Sequence, residues 1–279
     1  MIKNNFKSAF EHTRKHFPFK GYMSNIEKYE SQVDTVVKYL KPGGKILDFG
    51  CGPMDFNGIL QSMGYLCTGY DDLSDEWHKI ESNKIKIYNY VDKLGMKLDK
   101  ATEKGFLYPD EEFDMFMTHD VMEHIHDSPK DMLIDGLRKV KPGGYLYITV
   151  PSAVNIKKRF NLLRGITNYP SFEQYYWHPK PWRGHIREYS RNDLKKLTEL
   201  LELELVELTT VHHMLDSLSG LTLRLYKFIS AFMPNGKDTW KLVAKKPSGW
   251  SPKVALNKEE FSKLMGTTAV IDIKELYDK

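Results

Sequence analysis

The chain has 279 residues, of which 41% are apolar and 13% aromatic, so it can bury a core and is not disordered. Lys and Arg number 41 against 37 Asp and Glu, and the net charge of +4 is low for a nucleic-acid-binding protein. Only Cys51 and Cys67 are present and no Cys-x-x-Cys pair exists, which excludes a disulfide scaffold and a structural zinc site. We expect reduced thiols and a cytoplasmic protein.

The sequence predicts neither a signal peptide nor a membrane span. The first residues, MIKNNFKSAFEHTRKHF, carry charges throughout and have no apolar centre. The most apolar stretch runs from Met214 to Met233, but Asp216, Arg224 and Lys227 interrupt it.

Short apolar strands alternate with helical patterns after a basic helical segment at residues 1–40. The predicted strands are Lys45–Phe49, Tyr65–Tyr70, Lys86–Val91, Phe113–Thr118, Tyr145–Val150, Leu203–Val211 and Trp240–Ala244. The predicted helices are Asp55–Met63, Pro129–Val140, Arg191–Leu201 with Ser190 as its cap, and Asn257–Met265. Turns are expected at the two KPGG sequences, residues 41–44 and 141–144. This alternation predicts an α/β fold, with a Rossmann-like, doubly wound, seven-stranded and mostly parallel sheet.

Two inserts and a tail define the predicted domain boundaries. We expect an N-terminal helical segment at 1–40, a main domain at 41–246 and a C-terminal appendage at 247–279. Residues 151–189 form an insert rich in aromatic and basic residues, and residues 212–238 form a second insert. The second insert has an apolar stripe of Leu215, Leu218, Leu225, Ile229 and Phe232. A helix packed on the sheet is favoured for that stripe, and a lid over a cleft is the alternative.

The glycine-rich loop after the first strand has the composition of a nucleotide site. The sequence ILDFGCGP places Gly50 and Gly52 between a strand and a helix. Glycine permits positive φ and a close ligand, and the helix that follows offers free N–H groups. A dinucleotide fingerprint needs a third glycine, but Asp55 holds that position and would repel a pyrophosphate. Asp48 also favours a cationic ligand, such as S-adenosylmethionine, over NAD.

The second strand ends in an acidic pair, Asp71 and Asp72. A carboxylate at the position of Asp71 can accept hydrogen bonds from ribose hydroxyls. The alternative for the polar residues here is to cap the next helix, as Asp72 or Ser74 could do. We assign the ribose contact to Asp71 and the helix cap to Ser74.

Five segments in chain order are similar to motifs of one enzyme family. They are ILDFGCGP, GYDDLS, FDMFMTHDVMEHIHD, KPGGYLYITVP and HIREYSRNDLKKLTELLELELVEL, which together cover roughly residues 40–150 and 185–245. The chain resembles a class I S-adenosylmethionine-dependent methyltransferase of the ubiquinone-biosynthesis-like branch. With its aromatic insert it is most similar to methyltransferases of surface sugars and other small metabolites.

The resemblance implies cofactor contacts from three loops. The methionine end of S-adenosylmethionine would be lined by Asp48, Gly50, Cys51, Gly52 and Pro53. The ribose and adenine would lie beside Asp71, Asp72 and Leu73. The reactive methyl group would lie near His119 and Asp120. The product left by methyl transfer is S-adenosylhomocysteine.

Histidine is the natural base for removing a proton from a hydroxyl acceptor near neutral pH. Three of the ten histidines are candidates: His185 after the aromatic insert, and His119 and His124 after the fourth strand. A hydrogen-bonded structural role is the alternative for each. His119 and His124, with Asp120 and Glu123, share predicted helical faces and could bind a divalent metal. Helix capping accounts for these acids as well, and we predict no metal site.

The acceptor is expected at the aromatic insert. There Tyr176, Trp177 and Trp182 could stack on a sugar, and Arg183 would suit a phosphorylated or nucleotide-linked acceptor. Packing against the core is the alternative for the aromatic residues, and a solvated loop face is the alternative for the arginine.

These features predict a methyltransferase for a small molecule, with O-methylation of a sugar or sugar-like metabolite favoured. An amine, amide or phenol is the alternative acceptor, and a non-catalytic cofactor-binding protein is the alternative class. DNA is not expected as a substrate, because the sequence THDV after the fourth strand lacks the motif of amino methyltransferases. A homodimer formed through the appendage is left open.

Overall fold

The computed structural model describes residues 2–75, 77–101, 105–215 and 218–266, with side chains from residue 5 onward. Parts of the predicted second insert and of the predicted appendage therefore lie outside the described residues. Within these ranges the strands are β1 (Lys45–Phe49), β2 (Leu66–Asp71), β3 (Lys97–Lys100), β4 (Phe113–His119), β5 (Val140–Pro151), β6 (Glu204–Val211) and β7 (Thr239–Lys245).

One seven-stranded sheet has the order β3-β2-β1-β4-β5-β7-β6. Strands β1 to β5 pair in parallel, and β7 runs antiparallel to both β5 and β6. The strand order reverses between β1 and β4, and a crevice for ligands opens at the carboxyl ends of the strands at such a point. The predicted seven-stranded, mostly parallel α/β fold is confirmed.

Helices cover both faces of this sheet. The helices of the described ranges are α1 (Ile2–His16), α2 (Ile26–Tyr39), α3 (Asp55–Ser62), α4 (Glu81–Lys93), α5 (Lys130–Arg138), α6 (Ile156–Leu163), α7 (Phe172–Trp177), α8 (Arg191–Leu200), α9 (Gly220–Phe232) and α10 (Lys258–Met265), and those that cover the sheet include α1, α2, α5 and α8. Helix α8 begins at its predicted cap: the Ser190 hydroxyl accepts from the Asp193 N–H, and the Asp193 carboxylate accepts from the Ser190 N–H. No helix in these described ranges is long and apolar enough to cross a membrane.

Two hydrophobic clusters lie on opposite faces of the sheet, because successive side chains of a strand point to opposite sides. Ile46 belongs to the cluster that also holds Phe10 of α1 and Val33 of α2. Leu47 belongs to the other cluster, with Leu133 of α5 and residues of α8 and β7. The N-terminal helices thus share a core with the sheet, while the domain boundary at residue 40 stays a prediction.

The predicted third strand is wrong. Residues Lys86–Val91 lie within α4, and β3 follows later. The alternation in KIKIYNYV looks like a strand, yet Ile87, Tyr90 and Val91 are buried together at helical spacing. Ile85 and Tyr88 of the same segment are exposed, which a helix with one buried face explains.

Two predicted local features are also corrected. Strand β5 already begins at Val140 and continues through the second KPGG, where Gly143 has a φ of 80° and the register with β4 shifts. A β-bulge therefore absorbs the expected turn. Ser74 caps no helix, because α4 begins at Glu81; its hydroxyl instead accepts a hydrogen bond from Arg183 at 3.1 Å.

Helix α9 does not pack on the sheet as predicted. Leu221 is 81% exposed and Phe232 is 75% exposed, and Ser230 alone is buried among the helix's residues. Other helices already cover both faces of the sheet, so the insert lies beyond the strand ends. Leu225 and Ile229 of α9 border, with Phe160 of α6, a cavity of about 550 Å³.

Glu207 of β6 attaches α2 to the edge of the sheet. Its carboxylate accepts hydrogen bonds from Lys38 Nζ and Tyr39 Oη, both at 2.7 Å, and forms an ion pair with Lys241 at 2.6 Å. Burial opposes the charged form, but the hydrogen bonds from Lys241, Lys38 and Tyr39 outweigh it and lower the pKa of Glu207 to about 2.

We predict a pH-dependent loss of stability in Glu207→Gln. A carboxyl with a depressed folded-state pKa stabilises the fold above its unfolded pKa of about 4.3. The wild type should therefore unfold at a higher temperature than Glu207→Gln at about pH 7, and the difference should vanish as the pH falls towards about 2. Thermal unfolding at several pH values measures this. Glu204→Gln, at an exposed position of the same strand, should match the wild type throughout, and equal effects of both changes would contradict the prediction.

Candidate cofactor and acceptor site

The loop after β1 approaches the loop after β4 too closely for any side chain at Gly50. A Cβ on Gly50 would lie 2.3 Å from Val121 Cγ2, and the residue has a φ of 71°. The Gly50 N–H donates to the Tyr70 carbonyl at 2.9 Å, which fixes the loop to β2. Gly52 also has a positive φ, of 54°. Both glycines are therefore required by backbone conformation at the carboxyl edge of the sheet.

Asp71 connects the loops after β1 and β2. Its Oδ2 accepts from the Gly52 N–H at 2.8 Å, and its Oδ1 accepts from the Leu73 N–H at 2.7 Å. Burial raises the pKa of Asp71 despite these two hydrogen bonds. An ionised carboxylate offers about four acceptor positions, so capacity remains for ligand hydroxyls. Leu73 is buried in the core, whereas the Asp72 carboxylate accepts from the Ser74 N–H.

Acidic side chains are concentrated beneath the glycine loop. Asp48 is buried on β1, and its Oδ1 has no hydrogen-bond partner among the described residues. Burial raises the pKa of Asp48 well above its usual value, and nearby Asp55 and Asp71 add to that rise. Asp55, the first residue of α3, accepts a hydrogen bond from the Tyr29 hydroxyl. A buried acidic side chain with one oxygen lacking a partner, beside a glycine cradle, fits a ligand with positive charge, as S-adenosylmethionine has.

Cys51 and Pro53 are both buried in this loop. The Cys51 sulfur lies 2.5 Å from where a Cβ on Gly69 would be, so the side chain packs tightly against β2. Burial raises the pKa of the Cys51 thiol well above its usual value, as expected for an unreactive cysteine.

His119 lies at the end of β4, on the strand itself. The Nδ1 of His119 is 3.1 Å from Thr149 Oγ1, and the ring packs edge-on against Phe56 and Tyr147. Burial lowers the pKa of His119 to about 3. The predicted helical face that it would share with Glu123 is wrong, because the helical turn here spans only Met122–His124.

Asp120 is paired with a residue that the sequence analysis did not select. Lys28 of α2 donates from Nζ to Asp120 Oδ2 at 2.9 Å. Burial opposes ionisation of Asp120, but Lys28 and His213 outweigh it and lower its pKa. Lys28 had no recognisable signal in the sequence, because only the packing of α2 brings it to the end of β4.

A polar cavity of about 420 Å³ lies beside this ion pair. Its lining residues come from the N-terminal segment, from α3 and from the second insert: Tyr22, Ser24, Asn25, Lys28, Tyr29, Asp55, His213 and Met214. The ring nitrogens of His213 are buried without a hydrogen-bond partner among the described residues. Burial lowers the pKa of His213 to about 4. Sequence reasoning missed this histidine, which follows a strand with no motif around it.

The aromatic insert lines a third cavity, of about 660 Å³, which is open to solvent. Of the residues predicted to contact the acceptor, Trp177, Trp182 and Arg183 line it, whereas Tyr176 does not. Trp177 is 75% exposed, so packing against the core, the alternative for these aromatic residues, is wrong for Trp177. The hydrogen bond from Arg183 to Ser74 joins this insert to the loop after β2.

His124 and His185 lie together in the lining of that cavity, with ring centroids 4.9 Å apart. His124 Nδ1 lies 2.8 Å from the Arg183 carbonyl oxygen, and His185 Nδ1 lies 2.9 Å from Glu188 Oε1. Burial and the neighbouring His185 lower the pKa of His124. The structure thus brings together two of the three predicted histidines and separates them from His119.

Comparisons with known proteins agree with this geometry. A family model described as a methyltransferase domain matches residues 19–208. An uncharacterized methyltransferase of Schizosaccharomyces pombe is 32% identical over 125 residues, which are 40% of this chain and 41% of that protein. The aligned part thus covers about two fifths of the length of this curated relative.

Solved structures share the fold at low sequence identity. A SAM-dependent methyltransferase from Methanosarcina mazei is 17% identical, with a TM-score of 0.50 over 76% of this chain and 97% of that one. A Haloferax volcanii protein solved in complex with the Trm112 methyltransferase activator is 13% identical, with a TM-score of 0.54 over 79% and 91% of the two chains. At these identities the structures establish the fold alone.

The family match covers more than half of the chain, including the glycine loop, the acidic end of β2 and the end of β4. The NAD alternative has no support from any of these findings. The chain belongs to the methyltransferase domain family, and its fold is that of class I S-adenosylmethionine-dependent methyltransferases.

Proposed function

We propose that this enzyme O-methylates a sugar or sugar-like metabolite held in the cavity of the aromatic insert. The observation that carries the proposal is the make-up of that cavity: two indole rings, a guanidinium and three imidazoles line one space of about 660 Å³. Indole faces stack on the apolar faces of sugar rings, and a guanidinium suits a phosphate. A phosphorylated or nucleotide-linked sugar combines both features.

In this proposal, the loops after β1, β2 and β4 hold the cofactor at the carboxyl edge of the sheet. Asp48 would face the ammonium group, Gly50 to Pro53 would follow the methionine chain, and Asp71 would accept from the ribose hydroxyls. Asp72 and Leu73 would lie beside the adenine, with His119 and Asp120 near the methyl group. Bound S-adenosylmethionine supplies a methyl carbon activated by a sulfonium, and S-adenosylhomocysteine is the product.

The residues of this chain align the acceptor and handle its proton. Restricting the acceptor to one orientation in the cavity supplies much of the rate in such a displacement. Both Nδ1 atoms of the histidine pair face oxygen acceptors, so each carries a proton and donates it. The Nε2 atoms of His185 and His124 are then free to act on the acceptor hydroxyl. His119 is a poor base by comparison, because its pKa of about 3 is far from neutral.

The two inserts act as the acceptor lid, and residues 41–246 form the methyltransferase domain, in this proposal. A phenolic or otherwise apolar acceptor is a second candidate, favoured by the cavity between α6 and α9. Ile156, Phe160, Leu225 and Ile229 make most of its wall apolar. An amine or amide acceptor and a homodimer formed through the appendage stay proposals that measurements on the whole chain can decide.

We predict that Asp71→Asn weakens binding of S-adenosylmethionine at least about tenfold, a loss of about 1.4 kcal/mol. The amide keeps one acceptor oxygen for the loop but loses the charge and one of the accepting atoms. Isothermal titration with S-adenosylmethionine and with S-adenosylhomocysteine measures the change. Asp92→Asn is the control, because this exposed carboxylate lies at the last turn of α4, before β3 begins, and the variant should bind nearly as the wild type does. Equal losses in both variants would contradict the role of Asp71.

Turnover of an acceptor panel tests the substrate class. We expect S-adenosylhomocysteine to form faster with nucleotide-linked or phosphorylated sugars than with free sugars, phenols or amines. His185→Gln should lower kcat by about a hundredfold or more while binding of S-adenosylmethionine is retained. His16→Gln on α1 is the control and should leave kcat unchanged. Preferential turnover of phenols would favour the second candidate, and turnover of amines alone would exclude O-methylation.

A further inference from the structure

We propose that Glu123, His124 and His185 form a binding site for a divalent transition-metal ion at the wall of the acceptor cavity. One potential ligand atom from each residue lies within 4.8 Å of the other two. The two histidines line the cavity, and Glu123 lies behind them. The proposal differs from the sequence-based expectation of no metal site.

Glu123 supplies the first independent observation. Its exposed fraction is 0%, and neither carboxylate oxygen has a hydrogen-bond partner among the described residues. A buried carboxylate without partners carries a large desolvation cost, so such a group demands an explanation. The backbone leaves little freedom to move it, because the Glu123 carbonyl accepts from the Ile186 N–H at 2.6 Å. A cation between Glu123 and the histidines would satisfy the carboxylate.

The orientation of the two imidazoles supplies the second observation. The Arg183 carbonyl and the Glu188 carboxylate can only accept, so each Nδ1 donates, and in the neutral form of each ring Nε2 keeps its lone pair. Metal-binding histidines are commonly held in this way, by a carbonyl or a carboxylate on the other ring nitrogen. Glu188 is itself fixed by an ion pair with Lys158. The supporting contacts of a metal site are therefore already in place.

The distances require a small closure. His124 Nε2 lies 4.0 Å from Glu123 Oε1. Bonds of about 2.0–2.2 Å from an ion to nitrogen and oxygen bring neighbouring ligand atoms to about 3.3 Å from one another. Since the three ligand atoms lie within 4.8 Å of one another, side-chain rotations that bring them closer by up to about 1.5 Å suffice. Two imidazoles and one carboxylate favour zinc, iron or manganese over magnesium and calcium, which prefer oxygen ligands.

The four residues after β4 that were predicted to share helical faces, His119, Asp120, Glu123 and His124, do not form one cluster in the structure. His119 is engaged with Thr149, and Asp120 is paired with Lys28. His185 arrives from the far end of the aromatic insert and completes the set instead. Three protein ligands leave at least one coordination position open, and this position faces the acceptor cavity.

The ion would act on the acceptor, and this part of the inference rests on the proposed function. An acceptor hydroxyl bound at the open position would have a lowered pKa, and its proton would pass to water. The ion keeps its oxidation state throughout, and no electron is transferred. With the ion bound, Nε2 of His185 is a ligand, and the ion replaces direct abstraction of the proton by that histidine.

Metal binding can be measured without cofactor or acceptor. The chain is stripped with a chelator and titrated calorimetrically with Zn²⁺ and Mn²⁺, and metal content is determined after dialysis. We expect one equivalent of Zn²⁺ in the wild type and no comparable binding of Mg²⁺. Glu123→Gln, which keeps the shape and removes the charge, should weaken binding at least about a hundredfold, and His185→Gln should do the same.

A matched control addresses adventitious binding. The rings of His12 and His16 on α1 are tilted against each other, with centroids 4.5 Å apart. Such a surface pair can bind a transition-metal ion weakly. The double variant His12→Gln/His16→Gln should keep the tight equivalent. If Glu123→Gln does not fold, Glu188→Gln replaces it, because loss of this supporting contact should weaken binding about 10–100-fold.

The outcomes separate the two proposals. Absence of a tight equivalent in the wild type, or an equivalent that Glu123→Gln, His185→Gln and Glu188→Gln all retain, would overturn the metal site. In that case, continued binding of S-adenosylmethionine and turnover insensitive to chelators would leave His185 as a direct base. Absence of turnover with every acceptor, despite tight metal binding, would count against the proposed function and not against the site.

Discussion

The close approach of the loops after β1 and β4 is the constraint on which the rest of the site depends. At Gly50 no Cβ fits, because Val121 occupies that space. This contact sits where the strand order reverses, so it fixes the opening at the carboxyl edge of the sheet. Asp71 then ties the same loop to the end of β2 through two backbone N–H groups. The cofactor region is thus shaped by backbone geometry before any ligand contact is considered.

Charge is distributed around that opening in two separate ways. Beneath the glycine loop, Asp48, Asp55 and Asp71 are carboxyls whose pKa values are raised by burial, and a cation bound there would favour their ionised forms. At the end of β4, Asp120 is ionised, and its ion pair with Lys28 compensates the negative charge. Removing one partner of such a pair would leave a poorly solvated charge, which is costly. The N-terminal helix α2 therefore takes part in the electrostatics of the site as well as in the core.

The proposed acceptor side is built on different principles. Its aromatic rings are largely exposed and belong to an insert with few buried residues, so their arrangement depends on specific polar contacts. Arg183 reaches Ser74, and His126 Nε2 lies 2.9 Å from the carbonyl oxygen of Trp182. These contacts hold the insert against the loops after β2 and β4. The same segment delivers His185 to His124, so the position of the insert and the chemistry of the cavity are coupled.

The sequence by itself determined six of the seven strands in the described ranges, in their order along the chain, and the glycine loop with its acidic neighbours. Those features are local: a period of two or of 3.6 residues, and a Gly-x-Gly between strand and helix. It did not predict β3, α4, α6 or α7. The segment KIYNYV, residues 86–91, looks like a strand, because only burial shows that Ile87, Tyr90 and Val91 share one helical face. The apolar stripe of α9 predicts a helix packed on the sheet for the same reason. A local pattern does not show that other helices already cover the sheet.

The tertiary structure alone decided which distant side chains meet. Lys28 pairs with Asp120 across 92 positions of sequence, and Arg183 reaches Ser74 across 109. His213 lines the polar cavity beside the N-terminal segment, and no sequence motif marks this histidine. Glu123, His124 and His185 form one cluster, whereas their neighbours His119 and Asp120 turn to other partners. Such contacts depend on how elements pack, and packing is a property of the whole core that no local pattern encodes.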